Sequence, residues 1–223
     1  MAEALNEALD RLQFAMMIWI SIDILFIDFV NEYNYKYIFV IAMMIALFVT
    51  IKSFVLLAFA LFFLFPVVYA YWCAARVFKE FSKAFEREWY RWAHLFSLFG
   101  VVFFAVVPIV LAAWILSQPL DRLPLEPPWG SPVSYLGGVV TATVFAKAFM
   151  DLARDLSTPH FRYFAAAISA SALLSFQAMP SFTARLAALV LLFVAIRETR
   201  KKLTRRGDKG ESQPTLLTRH SLA

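Results

Sequence analysis

The sequence predicts an all-α, polytopic helical membrane protein, a bundle of six to seven transmembrane helices with one cytoplasmic interfacial amphipathic helix. Three observations lead there. The 223 residues are 61% hydrophobic and only 17% charged, well above the apolar share of about 45–50% typical of soluble domains. The apolar residues fall in continuous runs of 15 to 23, against the roughly 20 needed to cross a hydrocarbon core about 30 Å thick. In the first half, the only long polar interval is Arg76 to Arg91, where Phe78, Phe81, Phe85, Trp89 and Trp92 recur every three or four residues. That spacing puts the aromatics on one helix face and Lys79, Lys83, Arg87 and Arg91 on the other, as in a helix lying on a membrane surface. A β-barrel is excluded, because the runs are continuous rather than alternating.

The first span is expected at 14–30, apolar except for Ser21, Asp23 and Asp28. The acidic N-terminus before it has no basic n-region and no small-residue cleavage site, so this helix is expected to be kept. The 40 residues from Tyr33 to Trp72 amount to about 60 Å of helix, twice a bilayer core. They are divided at Lys52 into spans 37–51 and 54–72, with Pro66 kinking the second. The interfacial helix follows at 76–93. Leu95 to Ser117 makes a 23-residue span containing Pro108. The proline-rich stretch from Gln118 to Pro132 is expected to be extended and outside, with Arg122 its only basic residue. Spans at 134–156, 163–179 and 182–196 complete the bundle, with Thr158 and Pro159 opening a helix between the first two. Residues 207–223 are polar and aperiodic and are expected to be disordered.

Sidedness follows from the basic residues. The interfacial helix and the run Arg197, Arg200, Lys201, Lys202, Arg205, Arg206 and Lys209 mark the cytoplasmic side of a cell membrane. Seven crossings counted back from a cytoplasmic C-terminus put the N-terminus outside; were 33–72 a single crossing, six would put it inside. The net charge of +5 is concentrated in these two basic stretches, so the bilayer, including anionic lipids at the tail, accounts for it without nucleic acid.

Candidate functional residues are the polar groups inside spans. Asp23 sits near the middle of the first, where an ionised carboxylate is costly unless paired, hydrated or protonated. Lys147 and Asp151 are one helical turn apart and can pair, with Arg154 and Asp155 just beyond, although a long lysine reaching to the nearby interface is the favoured reading. Gly138, Ala142 and Ala146 form a small-residue stripe, and Ala167, Ser171 and Ser175 another on the next helix, the pattern that lets membrane helices pack closely. Against an enzyme, the HExxH, GxSxG, Walker and GxGxxG patterns are missing. The single cysteine, Cys73, rules out an intrachain disulfide, and the three histidines fall at span edges or in the tail. No cofactor or metal is expected. The sequence therefore points to a non-enzymatic membrane protein acting through helix packing with itself or partner subunits, with a small ion- or solute-coupled carrier as the alternative.

Overall fold

The computed structural model describes residues 2–25, 34–118, 130–174 and 178–208, with side chains at 5–18, 38–118, 136–174, 180 and 183–204. Among them there are seven helices and no strand: α1 (Ala2–Leu25), α2 (Asn34–Ile51), α3 (Phe54–Phe85), α4 (Glu88–Ser117), α5 (Gly130–Asp155), α6 (His160–Leu173) and α7 (Ala178–Asp208). Three segments are long and apolar enough to cross a membrane: α3, α4 and Leu136–Asp155 of α5; Ile38–Ile51 is a shorter apolar helix. Asp28, Ser175, the proline-rich stretch 119–129 and the tail 209–223 lie outside the described residues, as does the side chain of Asp23.

Among the described residues three tight reversals each use a residue other than glycine at positive φ: Lys52 (53°), Glu86 (52°) and Ser157 (51°). Such left-handed residues close helix C-termini by returning their N–H to the last turn. Lys52 N donates to Phe48 O at 2.7 Å, and Glu86 N to Ser82 O at 3.0 Å. After Ser157, Thr158 N donates to Ala153 O at 3.0 Å. Thr158 itself does not cap α6 through its side chain; the hydroxyl is buried 3.2 Å from that of Thr199 on α7.

The expected interfacial helix is replaced by a hairpin. Helix α3 runs straight through Trp72 to Phe85, the chain reverses at Glu86 and Arg87, and α4 begins at Glu88. At 32 residues α3 is about 48 Å long, and the first part of the amphipathic pattern belongs to its last turns. The aromatic face divides accordingly. Phe78 and Phe81 are each 1% exposed and pack inside the bundle, whereas Trp89 and Trp92 on the returning helix are exposed.

The hairpin closes on a small residue. A Cβ added to Gly100 would lie 2.4 Å from the ring of Tyr71, which also stacks on Phe104 with centroids 5.2 Å apart. Helix α1 packs antiparallel to α3: Leu9 and Leu12 share a core with Val77, Phe78 and Phe81, while Phe14 meets Tyr69 edge-on at 5.9 Å and Ala15 meets Ala70 and Cys73. The same core takes in Phe149 and Leu152 of α5, Phe161 and Phe164 of α6 and Leu192 and Ile196 of α7. A second core joins Ile38, Ile41 and Ala42 of α2 to Val67 of α3 and Leu111 and Ile115 of α4.

Candidate functional site: the polar end of the bundle

The described ion pairs between helices gather at one end, where the α3–α4 and α5–α6 reversals meet the first half of α1 and the basic part of α7. The reversals bring residues 65 to 68 apart in sequence into contact. Asp155, at the end of α5, accepts from Arg87 at 3.0 Å through one oxygen and from the Tyr90 hydroxyl at 2.9 Å through the other. Tyr90 is fully buried, so its ring anchors this network in the core while its hydroxyl meets the carboxylate. The bond to Asp155 pushes the Arg87 guanidinium above its ordinary value, with the carboxylate's charge adding to it. Both Asp155 oxygens are engaged, so the group fastens α4 to α5 and is not placed as a free acid or base.

A second network ties α6 and α1 to α7. Glu198 lies 2.7 Å from His160 Nδ1 and accepts from Lys202 at 2.7 Å, and Lys202 also donates to the Ser157 carbonyl at 2.7 Å. The hydrogen bond from Lys202 holds the Glu198 carboxyl below its usual range; the His160 bond adds to this, and partial burial opposes it. Arg200 pairs with Asp10 and donates to Gln13 at 3.1 Å, which fixes the first half of α1 against the basic part of α7.

The residues singled out from sequence fare differently. Lys147 and Asp151 form no ion pair. Asp151 lies 3.7 Å from Arg154, while the Lys147 ammonium sits 6.0 Å from the ring centroid of Trp89. One helical turn permits a lysine–aspartate pair, but a tryptophan face brought in by α4 competes for the cation. Asp23 falls within α1, but its surroundings lie outside the described side chains.

The small-residue stripes also divide. Ala142 and Ala146 are buried, whereas a Cβ on Gly138 would meet no described atom within 4 Å. Ala167 packs on the main core, and Ser171 is buried and accepts from Arg185 Nε at 3.0 Å. Among the described residues no three His, Cys, Asp or Glu side chains gather into a group that could hold a metal.

Sequence reasoning missed Arg87 and Tyr90 as partners of Asp155, Asp10 as the partner of Arg200, and Gly100 as the tight crossing point. None carries a motif. The one available signal was the polar triplet Glu86-Arg87-Glu88 interrupting an aromatic helix. No protein-family model matches the chain, and neither a curated protein nor a solved structure is similar to it.

Proposed function

We propose that this chain is a non-enzymatic, multi-pass protein of the cell membrane that acts through lateral helix packing with itself or with partner subunits. The observation that carries the reading is the outward face of α3 and α4, where Phe54 is 75% exposed, Phe65 68%, Phe62 67% and Phe99 64%. Large aromatic side chains bared in a band along two helices of this length would associate or aggregate in water, and lipid or a neighbouring helix covers them at no such cost.

The Asp10–Arg200 contact supports six crossings rather than seven. It holds the first half of α1 at the end that carries the basic residues of α7, the end that the charge rule assigns to the cytoplasm. Helices α1 and α3 to α7 then supply the crossings, and α2 adds no net passage. Lateral packing is supported by the end of α5 away from the polar networks, where Leu136 and Val140 are exposed beside Gly138.

The test is the size of the purified protein in lipid nanodiscs. A homo-oligomer or a stoichiometric hetero-complex that dissociates in Gly138→Trp is expected. A monomer at every lipid ratio, or proton-gradient-driven uptake into proteoliposomes that disappears in Asp23→Asn, would overturn the packing role.

A further inference from the structure

Beside the polar networks, α1 and α7 leave an open groove of about 590 Å³ between them. Gln13 lies on its α1 wall; Phe193, Arg197, Arg200 and Lys201 line the α7 wall. We propose that this groove is a binding site for one anionic phospholipid, with its phosphate between Arg197 and Lys201 and an acyl chain along Phe193. The proposal rests on the membrane reading above.

The order of residues along α7 matches the order of groups in such a lipid. Phe193, Arg197 and Lys201 succeed one another at four-residue intervals and share a face, and all three are exposed. On the apolar side of Arg197, Val190 and Val194 are also exposed, so the helix surface changes from hydrocarbon-compatible to cationic within two turns.

The neighbours decide where the positive charge acts. Arg200 faces the groove but is committed to Asp10 and Gln13, which neutralise and orient it. Neither Arg197 nor Lys201 has a carboxylate within ion-pair reach among the described residues. The net charge of the groove is therefore theirs, and a headgroup phosphate supplies the counter-charge. The Gln13 amide also lines the groove and can donate to headgroup oxygens.

A generic attraction of basic residues to an anionic leaflet would depend on every cation at this end alike. A built groove would depend on Arg197 and Lys201 and be indifferent to Arg162, which is exposed near the start of α6 and does not line it.

The full chain, purified in mild detergent, is mixed with equal amounts of phosphatidylglycerol and phosphatidylcholine, and retained lipid is counted by native mass spectrometry. One phosphatidylglycerol should be retained about tenfold or more in preference to phosphatidylcholine, given the typical attraction of each basic residue to anionic lipid. Arg197→Gln combined with Lys201→Gln should abolish the preference, and Arg162→Gln should keep it. If the double variant fails to fold, Lys201→Gln alone should weaken retention about fivefold. Equal retention of the two lipids, or equal loss in Arg162→Gln, would overturn the site. Displacement of the lipid by inorganic phosphate at matching concentration would overturn the commitment to a lipid. Failure of the membrane reading is seen separately, as release of the wild-type chain from membranes by alkaline washing.

Discussion

At the scale of single residues, the space at Gly100 is tighter than that at the other described glycines, Gly137 and Gly138. Adding one methyl there brings a carbon to 2.4 Å from the Tyr71 ring, and that ring is held by stacking on Phe104. Gly100→Ala should therefore destabilise the folded protein by about 1–3 kcal/mol, the usual cost of forcing a close-packed contact apart. Gly138→Ala should have little effect on the same measurement, thermal unfolding in detergent, because no described atom lies within 4 Å of the added carbon. The two glycines could not be ranked from sequence. Gly138 belongs to a visible four-residue stripe, whereas Gly100 stands in a run of large apolar residues and is needed only because Tyr71, 29 positions earlier, lies against it.

Glu198 supplies a pH-dependent prediction at the same scale. Its folded carboxyl is held below the ordinary value, about 4.3, by Lys202 first and then His160. The unfolded chain therefore binds a proton at higher pH than the folded one. The stabilisation is fully present above the ordinary carboxylate range and is lost as pH falls through the lowered folded value. Wild type should accordingly be more stable than Glu198→Gln near neutrality, and the gap should close on acidification below about pH 4. A gap that stays constant down to pH 3 in denaturation curves would count against this pairing.

At the scale of elements, the amphipathic period was legible while the break that divides it was not. Glu86 adopts a left-handed conformation without being glycine, asparagine or aspartate, so no punctuation marks the end of α3. The periodic aromatics run across the reversal as if one helix continued. The break at Lys52 was easier to read, because the 40 residues from Tyr33 to Trp72 exceed one bilayer crossing and Lys52 is the one charge between Tyr37 and Trp72. The hairpin makes a prediction that an interfacial helix does not. Phe81→Ala should cost about 3–5 kcal/mol because it empties a core position, whereas Trp92→Ala, at a side chain 45% exposed, should cost far less. A surface helix would give both aromatics similar and small values in equilibrium unfolding.

At the scale of the whole molecule, composition and run length made the all-α class and its long apolar helices readable, three of them long enough to cross a membrane, because covering apolar surface is a property of the entire chain. The polar end was legible only in part. Basic residues near Arg76 and after Arg197 are visible in the sequence, but their pairing with Asp10 and Asp155 depends on how the helices reverse.

The side of the N-terminus is the point on which the two topologies separate. Seven crossings would place α1's first residues opposite the basic part of α7, yet Asp10 is paired with Arg200 and Leu9 lies in one core with Ile196. A helix about 36 Å long cannot present its first half at both ends of the bundle. In a Cys73→Ser background, cysteines at positions 6 and 83 should therefore react with a membrane-impermeant maleimide from the same side, and one at 118 from the other. Positions 6 and 83 lie on segments joined through the shared core of Leu9, Leu12 and Phe81, while 118 ends the helix that leads away from the Glu86 reversal. Breaking the anchor should not invert the protein, since the basic residues of α3, α4 and α7 still set the orientation. Asp10→Arg should instead loosen α1 from α7, and the exchange of charges in Asp10→Arg with Arg200→Asp should recover part of the loss. Labelling of 6 and 83 from opposite faces would leave the shared core without a membrane arrangement and would exclude six crossings.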